Sequence, residues 1–231
     1  MTSPIILALD TDEISTAQSW ISATRKSIDI YKVGLEFFLK HGTAGLNELR
    51  DNNEFQLFLD LKLHDIPNTV AGAVASIKSL GPRFLTVHAA GGDAMVRAAV
   101  AAGPDISITG VTVLTSLDAD ALALMGIPQG PLEYAISLAK MAVASGARAI
   151  VCSPLEVAAV RQAVGPEIEL ITPGVRPLDS ELGDQSRVMT PDQAISAGAN
   201  FLVIGRPISS HFKNSAAAMG ERAEEILESL A

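Results

Sequence analysis

Residues 55–70 read Phe-Gln-Leu-Phe-Leu-Asp-Leu-Lys-Leu-His-Asp-Ile-Pro-Asn-Thr-Val, an apolar run that leads into charged residues. The apolar start follows the polar residues 51–54 and predicts a buried strand. If that strand continues, Asp60 and Lys62 point to the same side, because side chains alternate along a strand. Asp65 follows where the chain has left the strand. The stretch therefore predicts charged groups gathered at the end of a buried strand.

These charged residues allow two interpretations. An isolated Asp-x-Lys on a strand is usually a structural ion pair. In this stretch, however, Asp65 supplies a second carboxylate near Lys62, and a surplus carboxylate costs free energy through repulsion between like charges. We therefore favour a functional site over a purely structural pair of Asp60 and Lys62.

Strand-like and helical patterns alternate along the whole chain. Short apolar runs bounded by polar residues predict strands, and segments with helical periodicity follow them. The predicted strands are 5–9, 30–34, 55–59 with its continuation, 84–88, 107–115, 149–152, 169–175 and 201–206. The predicted helices include 14–24, 66–80, 132–145, 155–164, 192–198 and 216–230, and residues 118–131 and 177–191 are predicted to be irregular connections.

This alternation predicts an α/β protein with a parallel sheet and right-handed crossovers. A chain of 231 residues is close to the length of about 250 residues that is typical of a (β/α)8 barrel. We predict a (β/α)8 TIM barrel, with residues 1–231 forming a single domain. An open, doubly wound sheet is the alternative, but no Gly-x-Gly-x-x-Gly follows the first predicted strand, so the usual nucleotide-binding signature of that fold is absent.

Composition and charge restrict the possible functions. Hydrophobic residues make up 48% of the chain and charged residues 19%, without a low-complexity tract, which is typical of a compact soluble protein. There are 17 Lys and Arg against 26 Asp and Glu, and the resulting net charge of −9 disfavours nucleic acid or an acidic membrane as a partner. Any anionic ligand therefore needs a local positive site.

The cysteine content and the N-terminus predict a cytoplasmic protein. The single cysteine, Cys152, lies in an apolar run, so no internal disulfide is possible, and a small buried residue is favoured over a nucleophile. The N-terminus lacks the basic start and apolar core of a signal peptide, and no apolar stretch is long enough to span a bilayer.

Polar residues at the ends of the predicted strands indicate one site, because active sites of barrels lie at the C-terminal ends of the strands. Gly205 and Arg206 suggest phosphate binding there, since glycine lets backbone N–H groups approach an oxyanion and arginine offers a bidentate fork. Gln185, in the last irregular connection, is a candidate to close over the same ligand. The strand-end residues carry both signs of charge: Asp10, Lys32, Asp60, Lys62, His88, Thr115, Arg176 and Arg206.

These motifs resemble the bacterial type of the orotidine 5′-phosphate decarboxylase family, whose members convert orotidine monophosphate to UMP in pyrimidine synthesis. The resemblance extends over nearly the whole chain, and its third motif is highly specific. In chain order the motifs are Leu-Ala-Leu-Asp10, Tyr-Lys32-Val-Gly, Phe-Leu-Asp60-Leu-Lys62-Leu-His-Asp65-Ile66-Pro-Asn-Thr69, Val-Leu-Thr115-Ser, Thr-Pro-Gly-Val-Arg176, Asp-Gln185-Ser-Arg-Val-Met-Thr-Pro and Ile-Gly205-Arg206-Pro.

The resemblance implies a role for each of these residues and implies no cofactor. Lys62 is the expected proton donor, and Asp60, Lys32 and Asp65 complete a charged array. Asp65 and Ile66 are expected to reach into the site of the neighbouring subunit, which implies a two-fold homodimer. The residues implied to bind substrate are Asp10 and Lys32 at the ribose, Thr115 and Ser116 at the pyrimidine, Gln185, Gly205 and Arg206 at the phosphate, Arg176 in the loop on the phosphate side, and Asp60, Ile66 and Thr69 in the central motif.

Two other functions are compatible with the sequence. The magnesium-dependent sugar-phosphate decarboxylases and aldol synthases of the same superfamily share the Asp-x-Lys-x-x-Asp pattern. They carry an acidic metal ligand at the end of the second strand, where this chain has Lys32, and a lysine there would repel the ion. The other alternative is a non-catalytic nucleotide-binding barrel, because a fold does not by itself imply a function. No cluster of residues has the spacing of a metal site, so no metal is predicted.

Overall fold

The computed structural model describes residues 3–51, 53–177 and 189–230 of the chain. Eight parallel strands form a closed barrel in sequence order, and the last strand pairs with the first. The predicted (β/α)8 barrel is therefore confirmed. The strands are β1 (Ile5–Ala8), β2 (Ile30–Val33), β3 (Gln56–Leu63), β4 (Phe84–His88), β5 (Ser107–Val111), β6 (Ala149–Val151), β7 (Glu169–Pro173) and β8 (Phe201–Ile204).

Helices connect the strands, as the alternating pattern predicts. None of the helices within the described ranges is long and apolar enough to cross a membrane. The helices are α1 (Ile14–Thr24), α2 (Leu35–Arg50), α3 (Pro67–Ile77), α4 (Asp93–Ala102), α5 (Ala119–Leu124), α6 (Pro131–Ala144), α7 (Val157–Val164), α8 (Pro191–Ser196), α9 (Arg206–Ser209) and α10 (Ala216–Glu228), with short 3₁₀ helices at Lys78–Leu80, Ala89–Gly91, Pro154–Glu156 and Ser210–Lys213.

The connection after β5 differs from its prediction as an irregular segment, because it contains α5. Asp118 begins this helix, and its side chain accepts the backbone N–H of Ala121 at 2.9 Å. An aspartate in this position satisfies one of the N–H groups that the first helical turn leaves without a partner. The capping signal at Asp118 was therefore present in the sequence, although the helix is too short to show a clear periodicity.

The fifth strand is shorter than predicted and ends at Val111. Thr112 donates both its backbone N–H and its hydroxyl to the carbonyl oxygen of Val151, at 3.1 and 3.0 Å. The pairing of β5 with β6 ends at Val111 and Val151, and the residues 113–115 that follow line a cavity.

Large side chains fill the inside of the barrel toward the N-terminal ends of the strands. Phe84 contacts Phe58 and Phe201 edge to face, with ring centroids 5.7 and 5.6 Å apart. Arg83 lies 4.8 Å from the ring centroids of both Phe84 and Phe201, and its guanidinium donates to Glu169 at 2.7 Å. Space for a ligand inside the barrel is therefore left toward the C-terminal ends of the strands.

A second apolar layer packs the helices onto the strands. Leu7, Leu57 and Leu85 alternate with the inward-facing residues of their strands and are completely buried beneath the helices. Strands that are buried on both faces read as continuous apolar runs, which is why the strand predictions succeed here. This double layer makes the barrel a firm support for side chains at its rim.

Candidate active site

Charged side chains on β2 and β3, and Asp10 just after β1, meet at the C-terminal mouth of the barrel. Lys32, Asp60 and Lys62 line both of two adjoining cavities, whose volumes are about 190 and 120 Å³. Thr115 also lines the larger cavity, and Asp10 also lines the smaller one. Because the two cavities share three charged side chains, we treat them as one candidate site.

Asp60 lies at the centre of the charged cluster. The Nζ of Lys62 lies 2.8 Å from both carboxylate oxygens of Asp60, and the Nζ of Lys32 lies 3.7 Å from one of them. The hydroxyl of Thr86 donates to the other oxygen at 2.9 Å. Burial raises the pKa of Asp60, but the charges of Lys32 and Lys62 and the hydrogen bonds outweigh burial and hold that pKa below its usual value. Asp60 is therefore ionised at neutral pH.

The cluster continues to Asp10 with alternating sign. The Nζ of Lys32 lies 3.1 Å from Oδ1 of Asp10. The side chain of Asp10 is 64% exposed, whereas those of Lys32 and Asp60 are only 12% and 13% exposed. The order Lys62, Asp60, Lys32, Asp10 thus places each charge beside an opposite one and ends at the open edge of the mouth. Strand-end residues that are far apart in sequence do meet here.

The backbone of β3 is irregular where it carries Lys62. The pairing of β3 with β4 shifts its register between Leu59 and Leu63, and Lys62 has a φ of 49°, the only positive φ of a non-glycine residue in the described chain. A left-handed conformation of this kind costs about 1–3 kcal/mol and persists only where its surroundings hold it. Thr86 provides such a support, since its hydroxyl accepts the backbone N–H of Lys62 at 2.8 Å. Irregularities of this type re-aim side chains at functional sites.

Within one chain, the structure does not bring the second predicted carboxylate to Lys62. Asp65 is exposed and accepts the N–H of Ile66 at 2.7 Å, and among the described residues no ion pair joins Asp65 to Lys62. Asp65 lies in the short connection between the end of β3 at Leu63 and the start of α3 at Pro67. Ile66 is 67% exposed, and Thr69 is exposed as well. None of these three predicted site residues is among the described residues that line the two cavities.

Two arginines lie on the side predicted to bind phosphate. Arg176 follows β7 and Arg206 begins α9. Partial burial and the nearby charge of Arg206 both lower the pKa of Arg176. Gly205 lies beside Asp10, since a Cβ on Gly205 would be 3.5 Å from Oδ2 of Asp10. The predicted contact of Gln185 lies outside the described residues.

The two residues predicted at the pyrimidine are placed differently. Thr115 lines the larger cavity, whereas Ser116 is exposed and is not among the described residues that line it. The rest of that cavity has an apolar wall that the sequence analysis missed, because these residues resemble ordinary strand residues and only the closure of the barrel makes them neighbours. The wall is formed by Phe58, Val111, Val113, Leu114, Val151, Cys152, Pro173 and Val203.

His64 and His88 form a pair beside the charged cluster. Their ring centroids are 5.4 Å apart. Burial, the nearby His64 and the charge of Lys62 lower the pKa of His88, although Asp60 acts in the opposite direction. The strand-end pattern includes His88 but does not indicate this pair, since the two histidines are far apart in sequence.

Cys152 is a buried residue, as predicted. Burial raises the pKa of its thiol to about 12, so the thiol is protonated at neutral pH and is a poor nucleophile. In the described parts of the chain, no group of three or more His, Cys, Asp or Glu side chains is placed to hold a metal ion.

Comparison with known proteins identifies the family. The sequence model of the family described as "Orotidine 5'-phosphate decarboxylase / HUMPS family" matches residues 3–220. The chain belongs to this family. The resemblance that was inferred from the motifs is therefore confirmed, and it extends over nearly the whole length of the chain.

Individual members of the family support the same conclusion. The orotidine 5′-phosphate decarboxylase of Thermobifida fusca (strain YX) is 54% identical over 225 residues, which cover 97% of this chain and 96% of that protein. The protein of the same name from Frankia casuarinae is 47% identical, with 90% of this chain and 82% of that protein covered. The crystal structure of orotidine 5′-phosphate decarboxylase from Lactobacillus acidophilus matches with a TM-score of 0.83 and 33% identity, and covers 99% of each chain.

Proposed function

We propose that this chain decarboxylates orotidine 5′-monophosphate to UMP and CO₂ in pyrimidine biosynthesis, without a cofactor. The observation that carries this proposal is the amine of Lys62, held 2.8 Å from Asp60 at the open mouth of a barrel. The chain that carries this arrangement is 54% identical to a protein named orotidine 5′-phosphate decarboxylase.

The arrangement fits the chemical difficulty of the reaction. Loss of CO₂ from C6 of the pyrimidine leaves an electron pair in the plane of the ring, where the π system does not absorb its charge. Fixed charges of the protein must then stabilise that carbanion. A protonated amine of Lys62 beside C6 supplies a compensating charge and then the proton that forms the C6–H bond. Asp60 offers an anionic partner to that amine before the substrate is bound, and Lys32 balances the charge of Asp60.

In this proposal, the remaining strand-end residues contact different parts of the nucleotide. The apolar wall of the larger cavity favours the planar ring over the charged phosphate. Arg176 and Arg206 are near enough to interact electrostatically, and two positive charges at the ends of β7 and β8 would attract a phosphate. The assignments are Asp10 and Lys32 at the ribose, Thr115 and Ser116 at the pyrimidine, Gly205, Arg206 and Gln185 at the phosphate, and Arg176 on the phosphate side.

We further propose a two-fold dimer in which each chain contributes Asp65 and Ile66 to the site of the other chain. Both residues are exposed in the single chain. The carboxylate of Asp65 accepts a hydrogen bond from the N–H of the neighbouring Ile66. Among the described residues Asp65 forms no ion pair, and an exposed apolar residue beside such a carboxylate suits an interface that brings the carboxylate near the amine of Lys62 in the other chain. In such a dimer the second carboxylate near each Lys62 comes from the other subunit.

An orotidylate assay with and without a chelator tests the proposed function. We expect the absorbance of orotidylate to fall in the presence of the protein, at the same rate when excess chelator is added, because the proposed chemistry uses the charges of the protein itself. Loss of activity in chelator, with recovery in magnesium, would instead support the sugar-phosphate branch. UMP binding without any turnover would support a non-catalytic nucleotide-binding barrel.

Replacing Arg206 with alanine should impair turnover as well as binding. Contacts to a phosphate far from the reacting carbon contribute to catalysis when their binding energy is used in the transition state, so we expect kcat to fall by about 10-fold or more. Steady-state kinetics measure this. The matched control is Arg97→Ala, because Arg97 is 57% exposed and pairs only with Asp93 on its own helix among the described residues. A rise in KM with an unchanged kcat would contradict the prediction.

The location and partners stay predictions. A cytoplasmic protein without nucleic-acid or membrane partners agrees with the net charge of −9 and with the single buried cysteine. The proposed binding partners are the substrate, the product UMP and a second copy of the chain.

A further inference from the structure

The hydroxyl of Thr86 bridges the two groups on which the proposed reaction depends. It donates to Oδ1 of Asp60 at 2.9 Å and accepts the backbone N–H of Lys62 at 2.8 Å. Thr86 lies on β4 and is completely buried. We infer that Thr86 is a positioning residue, which holds the carboxylate of Asp60 and the backbone of Lys62 in the geometry that decarboxylation needs. This inference rests on the proposed function and extends it to a residue on the neighbouring strand.

A hydroxyl is suited to this position because it both donates and accepts. The ionised carboxylate of Asp60 only accepts hydrogen bonds, and a backbone N–H only donates them. The register shift between Leu59 and Leu63 interrupts the regular ladder of β3 with β4 at this point. The hydroxyl of Thr86 therefore replaces the acceptor that a regular ladder would offer to Lys62, and a buried N–H without an acceptor is costly.

The same bond supports the left-handed backbone of Lys62. A φ of 49° is unfavourable for a lysine and persists only while its surroundings hold it. Without the hydroxyl of Thr86, the backbone of Lys62 is free to relax, and the side chain that begins at this backbone moves with it. A displacement of about 1 Å in a catalytic group can lower a rate by about 100-fold. Thr86 therefore affects the position of the amine without touching it.

Thr109 provides a matched control for Thr86. It is the residue of β5 that pairs in register with Thr86, and it is equally buried. The hydroxyl of Thr109 donates a hydrogen bond to the carbonyl oxygen of Ser107, at 3.0 Å. A Thr→Val change at either position removes a buried hydroxyl from the same level of the barrel, but only the change at Thr86 removes a contact with Asp60 and Lys62.

The kinetic test compares three variants with the wild-type protein. We expect Thr86→Val to lower kcat by about 10- to 100-fold, with the affinity for UMP within about threefold of wild type. Thr86→Ser keeps the hydroxyl and should recover most of the lost kcat, and Thr109→Val should remain within about threefold of wild type. A folded Thr86→Val protein as active as Thr109→Val would overturn the inference, as would a Thr86→Ser protein as impaired as Thr86→Val. If Thr86→Val does not fold, Thr86→Ala and Thr109→Ala serve in the same comparison.

A measurement without turnover separates this inference from the proposed function. The titratable groups around Asp60 are Lys62 on the same strand, Lys32 on β2 and His88 on β4. Because the hydrogen bond from Thr86 stabilises the ionised carboxylate, Thr86→Val should raise the pKa of Asp60 in a carboxylate ¹³C NMR titration, whereas Thr109→Val should not. An unchanged pKa in Thr86→Val would overturn the inference even in an active enzyme. If the wild-type protein shows no decarboxylation, the proposed function fails, and the titration still decides whether Thr86 supports Asp60.

Discussion

Replacing Lys62 with alanine is expected to lower kcat for decarboxylation by about 10⁴-fold or more, while the affinity for UMP is largely retained. The change removes both the charge that stabilises the carbanion and the proton that ends its lifetime. It does not leave Asp60 without a cation, because the Nζ of Lys32 remains 3.7 Å from its carboxylate. The fall in orotidylate absorbance measures the first expectation, and calorimetric titration with UMP measures the second.

Lys78→Ala is the matched control for this variant. Lys78 also pairs with an aspartate, since its Nζ lies 3.9 Å from Asp105, but it precedes β4 and so belongs to the opposite end of the barrel. Its removal should leave both activity and UMP binding unchanged. Substantial turnover by Lys62→Ala would remove Lys62 from the role of proton donor. Loss of UMP binding in that variant would mean that the lysine supports the site as a whole.

Replacing Asp65 with alanine is expected to lower activity by about 100-fold or more without lowering the melting temperature. The expectation follows from the proposed dimer, in which Asp65 acts in the site of the other subunit. In its own chain the exposed side chain of Asp65 accepts a hydrogen bond from the N–H of Ile66. We therefore expect the Asp65 side chain to contribute little to folding stability. Thermal unfolding and steady-state kinetics measure the two effects. Asp105→Ala, at a position where the side chain is 85% exposed, is the control.

Mixing inactive variants tests whether the site is shared. A heterodimer of Lys62→Ala and Asp65→Ala subunits contains one site with both defects and one intact site. With free exchange of equal amounts, about one quarter of the wild-type activity should return, because half of the dimers are mixed and each has one intact site of two. No recovery, with subunit exchange demonstrated by mass spectrometry, would refute a shared site.

A second mixture tests whether activity can return without an intact shared site. Asp60 and Lys62 line the same cavities of one chain. A heterodimer of Asp60→Ala and Lys62→Ala subunits therefore has a defect in each of its sites, and this mixture should stay inactive. Activity in both mixtures would indicate that recovery comes from contamination or stabilisation, and it would remove the support for sharing of Asp65.

Much of the site was predictable because it depends on local sequence. Asp60 and Lys62 were placed together by the period of a strand, and the structure joins them at 2.8 Å. Asp10 and Lys32 were placed in the same site by their positions at strand ends, and they lie 3.1 Å apart. The rule that sites gather at the C-terminal ends of barrel strands turns such positions into neighbours.

Other features of the site depend on contacts that no local pattern encodes. The role of Thr86 requires that β4 lie beside β3 in a shifted register. Spacing along the sequence suggested that Asp65 lies near Lys62, but among the described residues of one chain Lys62 forms an ion pair with Asp60 and not with Asp65. The pairing of His64 with His88 likewise requires two strands to be adjacent.

The sequence by itself determined the alternation of strands and helices, the barrel class, the family and the pair Asp60 and Lys62. All of these follow from short-range periodicity or from motifs that can be read without coordinates. Only the tertiary structure decided which valines line the cavity, which hydroxyl supports the left-handed backbone at Lys62, and that Asp65 is exposed. These features depend on the closure and register of the barrel. Closure and register result from many weak contacts between residues that are far apart in sequence, so no single stretch of the chain reveals them.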